Sequence, residues 1–201
     1  NRSGRQAMRQ SPRTVASDPD MAEDDVQSAL TEALRTGTPA RVFRRGVASA
    51  AACEAAAKAV ERATGTPCKV EIEHCFNITS TALGDDANEA ASALRWLLAE
   101  TFAPQDLRAS SPSCTVEVGP RPAFASAWSS TAVLVAEACG AKGLQRVERS
   151  RRYFIPPAVD IKKAADVLHD RMTECVYDGT APFFDLETHE PAKIGTVSLI
   201  D

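Results

Sequence analysis

Six cysteines and three histidines are the residues of this 201-residue chain best suited to metal or thiol chemistry, and their spacing supports neither. Zinc sites gather closely spaced ligand pairs, whereas the nearest approach here is Cys68 with His74 and Cys75. A thiol nucleophile needs a base beside it and a sharp turn to present it, and no glycine-flanked elbow carries a cysteine. His169 and Cys175 stand six positions apart on a predicted helix and point away from each other. Cys53, Cys68, Cys75, Cys114, Cys139 and Cys175 are spread singly, so they read as free thiols of a reducing compartment, several of them filling core positions.

Anion binding is the other chemistry on offer. Gly119-Pro120-Arg121-Pro122 follows a predicted strand and Ser126-Ala-Trp-Ser-Ser-Thr131 opens a predicted helix. The free amides of that helix start, with Ser129, Ser130 and Arg121, are placed to hold an oxyanion. The plainer reading is that Ser126 or Ser129 caps the helix, for neither a glycine-rich loop nor a P-loop lysine accompanies them.

The run Arg146, Arg149, Arg151 and Arg152, interleaved with Val147 and Tyr153, is ordinary for a solvated strand face or a guarded sheet edge. Its sharper reading is contact with an acidic partner or a neighbouring domain, with Glu148 bridging to Arg146 on the same strand face. Exposed pairs of that kind contribute only ~0–1 kcal/mol. Too few aromatics stand nearby for a nucleic-acid stacking platform. Lys plus Arg total 23 against 27 for Asp plus Glu, a net charge of -4 that opposes a chain-wide nucleic-acid footprint. The longest uncharged apolar run, Val47 to Cys53, is far short of the ~20 residues that cross a bilayer.

These groups must be positioned by regular elements, and the patterning supplies them. Residues 1–20 hold four arginines and almost nothing apolar, which predicts a mobile tail. Residues 21–39 read as an appended helix and linker, with Val26, Leu30 and Leu34 behind an acidic start. A domain over 40–179 then begins with a strand at 41–45 and an Ala-rich helix at 48–64 stopped by Gly65. A strand follows with Val70, Ile72, Phe76 and Ile78 on one buried face, His74 on that face too, and Glu73 and Asn77 on the other. A helix striped by Ala90, Leu94, Leu97, Leu98 and Phe102 closes the first half. The second half repeats the order: strand 114–118, helix 129–139, strand 146–155, and a helix capped by Asp160 whose stripe runs through Leu168 and Met172 to Cys175 and Val176. Equivalent strands recur about 75 residues apart, which predicts duplicated strand-helix-strand-helix halves. Residues 180–201 read as an extended segment leaving the domain, as though the molecule continues.

Three stretches carry a resemblance. Pro120-Arg121-Pro122, Trp128-Ser129-Ser130, Cys139-Gly140, Arg146-Val147-Glu148-Arg149 and Tyr153 are similar, in residue and spacing, to the N-terminal domain of the large, single-chain phosphoribosylformylglycinamidine synthases. Leu168-His169-Asp170-Arg171-Met172 with Glu174 resembles the same family's following helix, and Arg95 to Phe102 more weakly its preceding one. The resemblance covers about residues 40–178. It implies an α+β fold of two fused copies of the split enzyme's small accessory subunit, related by a pseudo-two-fold axis, with helices on a mainly antiparallel sheet. It also implies a cytoplasmic scaffold in purine synthesis that docks the synthetase and glutaminase domains. The glutaminase triad and the residues for ATP and magnesium lie in other parts of such an enzyme, so no catalytic, cofactor or metal residue is expected here.

The interface candidates are Arg121, Trp128, Arg149 and Arg152, joined by Ser129, Ser130, Arg146, Glu148, His169, Asp170, Arg171 and Glu174. Because Trp128 opens a helix instead of lying in mid-stripe, its loss is expected to weaken docking more than folding. A stand-alone anion-binding or regulatory module of the same fold is the alternative.

Overall fold

The computed structural model describes residues 19–46 and 48–177, so nearly all of the arginine-rich tail and the whole 180–201 exit segment lie outside the described residues. In chain order the elements are α1 (Pro19–Thr36), β1 (Ala40–Arg44), α2 (Ala50–Thr64), β2 (Glu71–Ser80), α3 (Ala87–Leu98), β3 (Leu107–Arg108), β4 (Val116–Pro120), α4 (Ala127–Ala138), β5 (Leu144–Phe154), α5 (Ile161–Leu168) and β6 (Glu174–Tyr177). The strands form one six-stranded sheet in the order β3-β1-β2-β5-β4-β6. Every neighbouring pair is antiparallel. The fold is thus α+β, a single antiparallel sheet packed by helices.

Local chemistry sets the helix ends. Ser49 Oγ accepts the Ala52 amide at 3.1 Å to start α2, and Gly65 ends it at φ 74°, a left-handed conformation that costs glycine no steric clash. Ser126 Oγ accepts the Ser129 amide at 3.0 Å to start α4. Asp160 accepts from Lys162 and Lys163 to start α5, as its sequence position predicts.

Cross-strand partners share a face, so the register sorts the sheet into two sides. One side bears Val42, Phe76, Ile78 and Val147, which pack with α1, α3 and α4 into one apolar cluster. The same side bears Val116, Val118 and Tyr153, which pack with Val60 of α2 and Ala164 and Leu168 of α5 into a second. The helix at 21–39 is no appendage, because Val26, Leu30 and Leu34 are buried in the first cluster.

Three other expectations need correction. The long helix after Asp160 stops at Leu168, since His169 turns to extended backbone at φ -128° and ψ 151°. There Asp170 Oδ1 accepts the Met172 amide at 2.8 Å and Oδ2 accepts the Thr173 hydroxyl at 2.9 Å, a local turn that outcompetes helix. Glu174–Tyr177 then pairs with β4 as the edge strand β6. Tyr177 lies so close over Gly119 that a Cβ there would collide with its phenol ring. Second, α3 ends at Leu98, and Phe102 is 93% exposed instead of completing the stripe. Third, β2 does not have one buried face only, because Glu73 and Asn77 on its polar side are buried as well.

Candidate functional site

The sheet side away from the helix clusters is a buried ionic surface. Register brings Glu73 opposite Arg152, Cys75 opposite Ser150 and Asn77 opposite Glu148 across β2 and β5, with Glu117 of β4 beside Arg152. Arg152 pairs with Glu73 and stands 3.6 Å from Glu117, while its guanidinium lies 4.6 Å over the Phe43 ring and donates to the Pro112 carbonyl. Arg41 pairs with Glu117, which also accepts from the Ser150 hydroxyl at 2.7 Å, and Ser111 donates to Glu73 at the same distance. Cys75 is enclosed among these groups, and burial pushes its thiol up to about 12, too high for a reactive thiolate. All six cysteines are free.

Arg146 and Glu148 form the other end of this surface. Their side chains pair at 3.1 Å and are 5% and 0% exposed, so the pair expected on an exposed strand face lies in the interior. Glu148 also accepts the Ser126 amide at 2.8 Å and the Ser126 hydroxyl at 2.6 Å, while Arg146 donates to the Pro122 and Phe124 carbonyls. The helix start that the sequence offers to an outside anion therefore already holds a carboxylate of the chain itself. Arg121 is not part of it; its guanidinium donates to the Arg171 carbonyl.

The remaining candidates scatter. Trp128 is half-buried, stacked on Phe76 with ring centroids 6.0 Å apart and packed against the first apolar cluster, with Arg149 5.3 Å over its ring. It is a core residue with one wet side, not an unpartnered docking anchor. Ser129 is buried and its hydroxyl accepts the Val147 amide at 3.3 Å, whereas Ser130 is exposed. His169 Nδ1 lies 2.6 Å from the Ala165 carbonyl, and Arg171 faces Asp166 at 3.3 Å. Glu174, an interface candidate, pairs with Arg151 at 2.7 Å within the chain, and Asp170 serves the turn, whose donors hold its carboxyl below the usual range. Arg146, Glu148 and the α4 start come together as one constellation, while Arg149 with Trp128 and Arg121 with Arg171 meet as pairs. Sequence reasoning missed Arg41, Glu73 and Glu117, whose partners are visible only once the strands are in register.

On the helix side, Arg44, His74 and Arg151 are direct cross-strand neighbours, and Arg149 is two residues along β5. Burial first, then the fields of Arg149, Arg44 and Arg151, push His74 from 6.5 down to about 4. The folded chain therefore takes up this proton less readily than the unfolded chain. The stability tied to neutral His74 is whole above pH 6.5 and is lost progressively as pH falls towards 4. Between pH 7 and 5 the loss is up to about 2 kcal/mol, solvent access reducing it. Urea unfolding at both pH values should show this fall in the native chain and not in His74→Gln; equal falls in the two would refute the assignment.

The most exposed apolar side chains, apart from Met172, sit at the end of α3. Trp96 is 72% exposed and lines an open cleft of about 210 Å³ with Val26, Arg95, Ala99, Pro104 and Leu107. Among the described residues no group of three or more His, Cys, Asp or Glu gathers as metal ligands, and no helix is long and apolar enough to cross a membrane.

A single antiparallel sheet with helices packed on one side and buried ion pairs on the other defines an α+β domain. Residues 72–183, more than half of the chain, match the formylglycinamide ribonucleotide amidotransferase N-terminal family, and the chain belongs to that family. It is 42% identical over 120 residues to an Arabidopsis thaliana protein named probable phosphoribosylformylglycinamidine synthase, chloroplastic/mitochondrial, covering 52% of this chain and 8% of that one. It is 32% identical over 132 residues to the phosphoribosylformylglycinamidine synthase of Dictyostelium discoideum, covering 58% and 10%. The Homo sapiens enzyme of that name is 31% identical over 142 residues, covering 65% and 11%. The chain spans about a tenth of the length of these relatives.

Proposed function

We propose that these residues form the N-terminal, non-catalytic scaffold domain of a phosphoribosylformylglycinamidine synthase, docking the synthetase and glutaminase parts of the same enzyme. The observation that carries this reading is the family match over residues 72–183, within a chain that spans about a tenth of its relatives. The reaction would join an amide nitrogen from glutamine to formylglycinamide ribonucleotide at the expense of ATP, with magnesium, in the other domains. The duplication belongs to the same proposal. Each half runs strand, helix, strand, helix, strand, and the sheet order reads 3-1-2 and then 5-4-6, as two copies meeting at β2 and β5 would place it.

The docking surface is the end of α3. Trp96 and Phe102 present large apolar area, and exposed aromatic groups are the side chains from which interface anchors are drawn. Trp96→Ala and Phe102→Ala should each weaken association with the remainder of the synthase by about tenfold or more. Because neither ring is buried, the urea midpoint should stay within error of the native chain. Unchanged affinity in both variants, measured by titration calorimetry, would remove this surface from the proposal.

Residence in the cytoplasm, the reading drawn from unpaired cysteines, stands beside an organellar one. The Arabidopsis relative is named chloroplastic/mitochondrial, and residues 1–17 hold four arginines and no acid. Imaging the native polypeptide with a C-terminal fluorescent tag separates the two.

A further inference from the structure

We propose that the helix-side face of the sheet carries an oxyanion site of the phosphate class, built from Arg44, His74, Arg149 and Arg151. The site is independent of the docking reading and distinct from the α4 start that Glu148 fills.

Three of the four groups form a row. Arg44 of β1, His74 of β2 and Arg151 of β5 are direct cross-strand neighbours, a span of about 10 Å given the spacing of strands. Along β2 the row divides the two apolar clusters, with Phe76 and Ile78 on one side of His74 and Ile72 on the other. Arg149 belongs to the adjacent row, opposite Phe76. All three guanidiniums act on the one imidazole, so their fields converge.

The arginines are held before any ligand arrives. The Arg44 guanidinium lies 5.3 Å over Phe76 and donates through Nη1 to the Leu98 carbonyl at 2.8 Å. Arg149 lies 5.3 Å over Trp128, and the two rings stack on each other. Glu174 grips Arg151 through Nη2 with both of its oxygens. Fixing cations over aromatic faces leaves their N–H edges free to meet an anion.

Donor capacity and charge are both in surplus. Nε of Arg44, Nε of Arg151 and Nδ1 of His74 are buried with no hydrogen-bond partner. Such orphaned polar groups, the two arginine N–H donors above all, cost free energy unless something pairs with them. Among the described residues no carboxylate lies within ion-pair distance of Arg149. Glu174 is committed to Arg151, and Glu100 acts on Arg44 only through its field. A phosphate offers several oxygens on one small centre, which suits donors converging from three strands better than an extended run of carboxylates does.

The test is calorimetric titration of the 201-residue chain with inorganic phosphate at low ionic strength, alongside NMR titration of the His74 ring. Saturable binding of one phosphate per chain is expected, with the His74 pKa moving upward in its presence. Arg149→Gln, at an exposed position that should not disturb folding, and His74→Gln should each weaken binding by about tenfold or more. Arg121→Gln should leave it unchanged. No saturable phosphate binding would overturn the proposal, as would binding unaffected by both variants. Binding of tetraglutamate without phosphate would overturn it too, since the face would then meet an acidic polypeptide.

Discussion

Glu148→Ala should destabilise the domain by about 3–5 kcal/mol, because it takes from the buried Arg146 the equally buried carboxylate it pairs with at 3.1 Å. The carboxylate has two further duties, accepting from the Ser126 amide and hydroxyl at the start of α4, so the helix start loses its acceptor in the same step. The 121–125 loop should loosen as well, since Arg146 holds the Pro122 and Phe124 carbonyls. Urea unfolding measures the loss, and the double variant Arg146→Met with Glu148→Leu isolates its cause. Replacing both partners by apolar groups of similar volume should recover much of the stability that the single variant loses. A double variant as unstable as Glu148→Ala would mean that the lost contacts at Ser126, and not the broken buried ion pair, set the penalty.

Trp128→Ala is the second large effect, about 3 kcal/mol or more in urea unfolding. The indole stacks on Phe76 and packs on the first apolar cluster, so its removal opens space between α4 and the sheet. Arg149 loses the ring it lies over in the same change. The earlier expectation, that losing this residue harms docking before folding, is thereby reversed. A variant with native stability and impaired association would restore it.

Much of the architecture was legible from periodicity. Gly65 announces the end of α2, and the spacing of Ala90, Leu94 and Leu98 finds α3. The apolar parity of β2 and the strand at 146–155 were both readable, but that these two strands pair at the centre of the sheet emerges only from the register. What misled was charge. Glu73, Glu148 and Arg152 alternate with apolar residues as a solvated face would, and a period of two cannot say whether the polar side faces water or another strand's counter-ion. The α5 error has a different origin. Leu168, Met172, Cys175 and Val176 keep helical spacing, but Asp170 bonds its own downstream backbone and β4 offers an edge to pair with. The two-residue strand β3 is too short to leave any periodicity to read. The cation row was invisible for a related reason, since Arg44, His74 and Arg151 lie far apart in the chain and meet only through register.

The central pairing also governs the order in which the molecule can form. Glu71 to Ser80 of β2 meet residues 144 to 154 of β5, so the two strands that anchor the sheet are made far apart in time on the ribosome. Until β5 emerges, β2 has only β1 on one side, its other edge is open, and Glu73 and Asn77 still lack Arg152 and Ser150. The first half is therefore a half-sheet waiting for its mate during translation. Closure of so distant a contact is slow compared with helix formation, and it leaves the nascent chain's exposed strand edge as the stretch most in need of a chaperone.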